Sequence, residues 1–241
     1  MSVIYEPSGK AREYCELAVN LYRGCDHGCL YCYAPAATYK SRNEFLQPKE
    51  RKNIVEQIKK EAPAHRGKEV LLCFTCDPYS SFAAETGITG EAIDALHSGG
   101  VNVTILTKGG MRSIIDFDKL QKQDKYGATL TFANDADSLK WEPEAALPAE
   151  RIEALKIAKE KGITTWASLE PVIDPEQSLE IIERTYKFVD IYKVGKWNHD
   201  VMAKEIDWVS FAERAVSIWK KDNKKYMIKK DLAVYLKKEG I

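Results

Sequence analysis

The chain has 241 residues, of which 44% are hydrophobic and 30% charged, and its formal net charge is zero. This composition is that of a globular protein, and a neutral chain has no overall field that would attract nucleic acid or an anionic membrane. No apolar run is long enough to cross a bilayer, and the N-terminus lacks the layout of a signal peptide, so we expect a cytoplasmic protein without membrane contact.

Apolar, β-branched runs alternate with amphipathic stretches along most of the chain. This alternation indicates parallel strands joined by right-handed crossovers. The predicted strands are residues 17–22, 70–74, 101–106, 127–132, 164–169 and 189–194. The predicted helices between them are residues 49–61, 90–97, 110–122, 149–161 and 175–187.

Six strand–helix units are too few for a closed barrel of eight. We therefore predict an α/β fold, a partial (βα)6 barrel of the TIM type with parallel strands. Two more helices, 207–221 and 225–238, are predicted to form a C-terminal helical extension from about residue 205. No low-complexity linker interrupts the sequence, so residues 1–241 are predicted to be a single domain.

Three cysteines lie close together just after the first predicted strand. Cys25, Cys29 and Cys32 have the spacing C-x3-C-x2-C within the segment 23–33, RGCDHGCLYCY. Three thiolates on a glycine-containing loop can each bind one iron of a cubane [4Fe–4S] cluster, which leaves the fourth iron open to another molecule. The position after a strand supports this interpretation, because ligands of βα folds bind where the strands end.

The spacing alone leaves other interpretations open. A structural zinc site would need a fourth ligand, for which His27 or Cys15 is a candidate. A conventional electron-transfer cluster would need a fourth cysteine, and Cys15, Cys73 and Cys76 are candidates. Three buried cysteines without any metal are the remaining alternative.

The cysteine loop, with aromatic Tyr31 before its last cysteine, resembles the signature of the radical S-adenosylmethionine (SAM) superfamily. The flanking segments 20–24 (NLYRG) and 33–35 (YAP) are similar to the spore photoproduct lyase-like branch of that superfamily. Further similar segments are 75–79 (TCDPY), 105–108 (ILTK) and 141–143 (WEP), so the resemblance spans about residues 17 to 175. One departure is clear, since residues 80–83 (SSFA) lack the glutamate that the branch usually carries there.

The resemblance implies a radical SAM enzyme whose cofactors are a [4Fe–4S] cluster and SAM. Such an enzyme cleaves SAM reductively to methionine and a 5′-deoxyadenosyl radical, which abstracts a hydrogen atom from a substrate that the sequence does not identify. The implied partner is an external electron donor of the flavodoxin or ferredoxin type. The alternatives are repair or modification of a DNA or RNA base, as in spore photoproduct lyase, and a non-catalytic iron–sulfur electron carrier.

The resemblance also implies roles for individual residues. Cys25, Cys29 and Cys32 would bind the cluster, and Tyr31 would lie against the adenine of SAM. Lys108 would pair with the SAM carboxylate, and Asp77 would meet the SAM ammonium or ribose. The residues that would donate a hydroxyl to SAM are Thr129 and Thr131.

Two more cysteines lie near the end of the second predicted strand. Spore photoproduct lyase uses a cysteine in this region to return a hydrogen atom to its product radical. Cys76 and Cys73 are therefore the candidate catalytic residues, because a thiol S–H bond is weak enough to quench a carbon radical. Burial of a free cysteine in an apolar strand is the alternative explanation, above all for Cys73.

The C-terminal segment 220–238 carries eight lysines interleaved with Tyr226 and Tyr235. A phosphate-binding patch with stacking partners would have this composition, which makes nucleic acid a candidate substrate. The solvated face of an amphipathic helix would have it too, and we favour that interpretation.

Overall fold

The computed structural model describes residues 2–198 and 200–236. Within these residues an eight-stranded sheet and a two-stranded hairpin form the β structure. In chain order the strands are β1 (Ile4–Tyr5), β2 (Leu17–Val19), β3 (Tyr22–Arg23), β4 (Lys49–Glu50), β5 (Glu69–Leu72), β6 (Asn102–Thr107), β7 (Lys125–Thr129), β8 (Thr164–Val172), β9 (Ile191–Lys196) and β10 (Lys225–Ile228).

Helices follow most of the strands of the large sheet. The α-helices are α1 (Ala34–Ala37), α2 (Arg42–Phe45), α3 (Ile54–Glu61), α4 (Ser81–Thr86), α5 (Ile88–Ser98), α6 (Asp135–Trp141), α7 (Pro148–Glu160), α8 (Pro175–Thr185), α9 (Trp208–Lys221) and α10 (Lys230–Leu236). Short 3-10 helices cover Gly9–Glu13, Ala62–His65, Gly110–Lys119 and Met202–Lys204. No helix in the described ranges is long and apolar enough to span a membrane.

The large sheet has the strand order β1-β2-β5-β6-β7-β8-β9-β10. Strand β1 is antiparallel to β2, and every later pair is parallel. This order confirms the predicted α/β fold of the partial TIM-barrel type, because each of the six predicted strands has a counterpart in the parallel array. All their C-terminal ends therefore lie at one edge of the sheet.

The predicted helix 225–238 is wrong over its first part. Residues Lys225–Ile228 form β10, a seventh parallel strand that pairs with β9, and helix α10 begins only at Lys230. Tyr226 of this strand stacks on Trp219 with ring centroids 5.0 Å apart. Residues 225–228 pair with the edge of β9 and contact Trp219, and these interactions override the local helical pattern. Residues 237 and 238 of the predicted helix lie outside the described residues.

Two other predicted helices differ from the structure in part. The segment predicted as a helix over 110–122 is the 3-10 helix Gly110–Lys119. In the segment 49–61, the first two residues form β4 and the helix begins at Ile54. The predicted helix 207–221 is confirmed as α9, which is capped by the Asp207 side chain through the Ser210 N–H.

The inner side of the curved sheet is filled by large side chains. Trp166 is fully buried there with Ala18 and Leu71, and its indole N–H donates to the Ile105 carbonyl at 3.1 Å. Gly127 on the neighbouring strand makes room for this ring, since a Cβ at that position would collide with the indole. The half-barrel is therefore packed around Trp166, and a ligand is expected at the strand ends.

Candidate active site at the C-terminal strand edge

The loop between β3 and α1 carries the three cysteines, and two glycines give it its shape. Gly24 has a φ of 94° and Gly28 has a φ of 68°, a backbone region that strongly favours glycine. A Cβ on Gly24 would lie only 2.5 Å from the Phe45 carbonyl oxygen. The chain next to Cys25 therefore runs against α2 more closely than any side chain would allow.

Arg42 of α2 holds the middle of the cysteine loop. Its guanidinium donates to the carbonyls of Gly28 at 2.9 Å, Cys29 at 2.6 Å and Leu30 at 3.3 Å. The Leu30 N–H in turn donates to the Trp141 carbonyl at 2.8 Å. A loop fixed by one arginine and by bonds to a distant segment can keep its shape before a cofactor binds.

The three thiols can be compared with what a single metal ion and a cluster each require. In the described ranges, no group of three or more histidine, cysteine, aspartate or glutamate side chains converges on one metal position. A cubane binds each cysteine at a different iron, so the sulfurs need no such convergence. Burial raises the pKa of Cys29 to about 12 and raises that of Cys25 well above its usual range. A cation such as iron beside these thiols would favour their ionised form.

His27 contacts the protein through both ring nitrogens. Its Nδ1 donates to the Glu144 carbonyl at 3.3 Å, and its Nε2 lies 3.1 Å from Asp77 Oδ2. The alternative in which His27 completes a zinc site is therefore not supported. Cys15 is no fourth ligand either, because its Sγ lies 3.4 Å from the carbonyl of Glu69, at the start of β5 and thus at the opposite edge.

Asp77 connects the cysteine loop to the ends of β5 and β6. Its carboxylate accepts bonds from the Tyr79 N–H at 2.8 Å, the Thr107 hydroxyl at 2.6 Å and the Lys108 N–H at 2.8 Å. Burial opposes ionisation, but His27 and these hydrogen bonds hold the pKa of Asp77 well below its usual value. The structure thus places this carboxylate in a structural network, and its predicted contact with SAM stays a prediction.

Tyr31 points from the loop into a buried network at the end of β7. Its hydroxyl lies 3.1 Å from the Thr131 Oγ1 and also contacts Glu142. Glu142 forms an ion pair of 2.6 Å with Arg151, and their side chains are 0% and 1% exposed. Burial raises the pKa of Glu142, but Arg151 and Lys108 outweigh it and hold that pKa below its usual value.

The sequence analysis missed the role of Arg151. This residue lies on α7 in line with Leu155 and Ala158, and all three are buried. An arginine at a buried position of a helix, with spacings of four and seven to apolar residues, was the available signal. Its guanidinium also donates to the carbonyls of Thr129 at 3.0 Å and Ala146 at 2.7 Å.

Lys108 lies beside this network at the end of β6. Its Nζ is 5.5 Å from the centre of the Tyr31 ring, and among the described residues no carboxylate is within 4.0 Å of it. Burial lowers the pKa of Lys108, but the neighbouring Cys29 and Glu142 more than compensate and raise it. Predicted site residues Tyr31, Lys108 and Thr131 therefore come together, and buried Thr129 ends the adjacent strand β7.

The two candidate catalytic cysteines differ in their surroundings. Cys73 is buried in the main core, whereas Cys76 is half-buried and its Sγ lies 3.9 Å from Asn20 Oδ1. The exposed Tyr33, directly after Cys32, donates its hydroxyl to the Phe74 carbonyl at 3.2 Å. Cys76 therefore belongs to a turn that contacts the cysteine loop.

A second polar cluster occupies the same edge at the ends of β8 and β10. Lys229 donates to both oxygens of Glu170 at 2.9 Å, and the Tyr14 hydroxyl also contacts Glu170. Tyr14 lies 2.9 Å from the Ser168 hydroxyl as well. Glu170 was missed because the predicted strand ended at residue 169, whereas β8 continues to Val172.

The sequence has relatives among known proteins. A family profile for the radical SAM superfamily matches residues 19–189. An uncharacterized protein of Methanocaldococcus jannaschii is 28% identical over 181 residues, which cover 72% of this chain and 67% of that protein. An uncharacterized protein of Mycobacterium tuberculosis is 35% identical over 98 residues, or 38% of this chain and 29% of that protein.

Solved structures share the fold. SuiB of Streptococcus suis bound to S-adenosylmethionine has a TM-score of 0.65 at 14% identity, over 88% of this chain and 49% of SuiB. A spore photoproduct lyase mutant has a TM-score of 0.65 at 14% identity, over 86% of this chain and 63% of the lyase. At such identities the likeness shows the fold alone, and this chain spans only about half of SuiB. Because the profile covers most of the chain, from the end of β2 to just before β9, this protein belongs to the radical SAM superfamily.

Proposed function

We propose that this protein cleaves SAM reductively at a [4Fe–4S] cluster and uses the product to remove a hydrogen atom from a substrate. The observation that carries the proposal is the shaped loop with Cys25, Cys29 and Cys32 at the C-terminal edge of the parallel strands. When bound, the cluster supplies one electron that breaks a carbon–sulfur bond of SAM, giving methionine and the 5′-deoxyadenosyl radical that takes the hydrogen atom.

Lys108 is the residue that we expect to hold the SAM carboxylate. It carries a half-buried ammonium group close to Cys29, and in the described part of the chain no carboxylate pairs with it. A flexible point charge at this position suits an incoming carboxylate. The Tyr31 ring, 5.5 Å from the same ammonium, offers a flat apolar surface for the adenine.

Thr131 and Asp77 support the site from behind. Thr131 is within hydrogen-bond distance of the Tyr31 hydroxyl, and Asp77 binds the backbone of Lys108. We therefore assign both to positioning of the groups that meet SAM. Thr129, buried at the end of β7, stays a candidate hydroxyl donor to the cofactor.

Cys76 is better placed than Cys73 to return a hydrogen atom to a product radical. The Cys73 backbone continues the sheet by donating to the Val19 carbonyl at 3.0 Å, and its side chain is buried in the core. Cys76 is half-buried in the turn that Tyr33 contacts through Phe74. A donor must reach the substrate, so we assign this step to the more accessible thiol.

The first experiment is anaerobic reconstitution with iron and sulfide, followed by reduction with dithionite in the presence of SAM. Wild type is compared with Cys29→Ala and with Cys15→Ala, a matched control in which the cysteine lies at the other edge of the sheet. The measurements are bound iron, the visible spectrum before and after SAM, and 5′-deoxyadenosine by chromatography.

We expect a brown protein whose spectrum changes with SAM and which forms 5′-deoxyadenosine. The control Cys15→Ala should behave as wild type, and Cys29→Ala should lose both the cluster and the product. A cluster whose spectrum ignores SAM would instead show a closed iron–sulfur carrier. A colourless protein that retains zinc would contradict the proposal altogether.

A further inference from the structure

The outer side of the cysteine loop displays large apolar side chains. Leu30, between two of the cysteines, is 51% exposed, Leu46 is 37% exposed and Tyr39 is 98% exposed. Leu46 lies against the loop, since a Cβ on Gly28 would be 3.9 Å from its Cδ2. Leu30 and Leu46 are thus two exposed apolar side chains at one loop, and Tyr39 lies between them in the sequence, in the turn from α1 to α2. Exposed apolar side chains of this kind are typical of a contact surface.

Tyr39 adds backbone strain to this surface. Its φ is 54°, in the left-handed region, which costs a residue other than glycine about 1–2 kcal/mol. The turn is closed by bonds from the Tyr39 N–H to Ala36 and from the Lys40 N–H to Pro35. The exposed Tyr39 ring thus stands on a strained residue of the backbone, and such strain is concentrated at functional sites.

Basic residues flank Tyr39 and Leu46 in the sequence. Segment 40–52 carries five basic residues against the two acidic residues Glu44 and Glu50, although the whole chain is neutral. Arg23 of β3 is paired with Lys49 of β4, which adds one more exposed cation beside that segment, near Cys25. We call this set the basic collar, and its members are Arg23, Lys40, Arg42, Lys49, Arg51 and Lys52.

The cysteine loop separates this surface from the SAM side of the site. Tyr31 turns inward, where its hydroxyl contacts Thr131 and Glu142. The preceding Leu30 turns outward into solvent, next to Cys29. A protein that sits on Leu30 would thus approach the cysteines without entering the space near Lys108.

We propose that Leu30, Leu46, Tyr39 and the basic collar form the docking surface for a small acidic one-electron carrier of the flavodoxin class. The proposal rests on the proposed function, because only a redox cluster needs such a donor. An apolar centre with a charged rim suits a transient complex, and positive charge steers an acidic partner to it. Aliphatic Leu30 and Leu46, and the interspersed Glu44 and Glu50, favour a protein over nucleic acid at this surface.

In the transfer itself, a flavin hydroquinone loses one electron and one proton and becomes a semiquinone. The cluster gains that electron, and the proton goes to solvent. No atom of the collar changes its bonding. The collar therefore alters how often the donor arrives and how long it stays, and it leaves reduction by a small molecule unaffected.

The test is calorimetric binding of oxidised flavodoxin to the reconstituted protein at low and high salt. The variant Lys40→Glu/Lys49→Glu/Lys52→Glu is compared with Lys122→Glu/Lys187→Glu/Lys220→Glu, which has the same charge change on exposed lysines elsewhere. We expect the collar variant to bind at least tenfold more weakly at low salt, a difference that salt removes. The control variant should bind as wild type.

A second variant, Tyr39→Asn, removes the ring but keeps a residue that tolerates the left-handed backbone. We expect several-fold weaker binding of flavodoxin at every salt concentration. Both tests are run beside dithionite-driven formation of 5′-deoxyadenosine, which should equal wild type in every variant. Loss of that product in wild type would refute the proposed function instead.

Equal binding by the collar and control variants would overturn the proposal. A collar variant that binds flavodoxin as wild type but loses affinity for a single-stranded oligonucleotide would also overturn it, in favour of a nucleic-acid surface. The proposal would also be overturned if reduced flavodoxin transferred electrons to the cluster of the collar variant at the wild-type rate.

Discussion

Removal of the buried Arg151 guanidinium should be among the most destabilising single changes in this protein. The substitution Arg151→Met leaves Glu142, whose side chain is 0% exposed, without its ion-pair partner. Such an uncompensated buried charge costs about 3–5 kcal/mol. The carbonyls of Thr129 and Ala146 also lose their donor, at about 1 kcal/mol each. We expect a loss of at least ~4 kcal/mol in the free energy of unfolding.

The assay is urea unfolding of the apoprotein at pH 7, followed by tryptophan fluorescence. The matched control is Arg214→Met, which breaks an ion pair with Glu176 whose side chains are 50% and 70% exposed. Ion pairs exposed to solvent contribute little to stability, so this variant should unfold close to wild type. If the two arginine variants lose the same free energy to within ~1 kcal/mol, the reasoning from burial is refuted.

The pH dependence gives the same reasoning a second test. The pKa of Glu142 is depressed in the folded protein, so its contribution to stability is present above about pH 4 and is lost as the pH falls. In Arg151→Met the largest cause of that depression is absent. The stability difference between wild type and the variant should therefore stay nearly constant from pH 7 down to about 5 and shrink as the pH falls further, below about 4.

Four other changes test the site. The substitution Gly24→Ala should lower the free energy of unfolding by roughly 3 kcal/mol or more and abolish iron binding, because it adds a steric collision to a positive φ. The control Gly162→Ala has a φ of 79° but open space around its Cβ, so it should lower the free energy of unfolding by about 1–2 kcal/mol and keep the iron. The Asp77 carboxylate contributes stability that wild type loses as the pH falls below about 5, and Asp77→Asn removes that contribution. The urea midpoints of the two proteins should therefore converge in acid. Midpoints that keep a constant difference at every pH would contradict this. Lys108→Met should raise the KM for SAM about tenfold or more, and Lys108→Arg, which keeps the positive charge, should raise it less. An unchanged KM in Lys108→Met would exclude Lys108 from the cofactor site. Cys76→Ala should leave 5′-deoxyadenosine formation intact but alter the products once a substrate is known, and an identical product pattern would exclude it as hydrogen donor.

The sequence predicted the edge of the fold at which the site lies. Strand–helix alternation predicts the direction of the parallel strands, and the position of the cysteine loop after the first strand then places it at their C-terminal ends. Strand β10 was missed because a run of four residues, KYMI, has no decisive periodicity. Its structure depends on pairing with β9, which local sequence does not contain.

The hydrogen-bond and ion-pair partners of Asp77 and Arg151 could not be predicted from the sequence, for a different reason. Asp77 has an ordinary turn sequence, yet its carboxylate is bound by groups from two distant segments, at His27 and Thr107. Arg151 meets Glu142 across the turn between α6 and α7. A single sequence records the residue types but not these long-range contacts, and here such contacts hold the carboxylates of Asp77 and Glu142 inside the protein.

Two consecutive residues, Leu30 and Tyr31, account for how one short loop can support both proposals. Tyr31 is held inward by Thr131 and Glu142, so any change there should act on SAM and leave the donor surface intact. Leu30 is exposed on the other side of the loop. Arg42 donates to the Leu30 carbonyl and so fixes the position of Leu30. Arg42→Ala should therefore weaken flavodoxin binding and SAM binding together, whereas the collar lysine variants should weaken only the first. If Arg42→Ala affected one of the two alone, the loop would not be the single rigid element that the structure indicates.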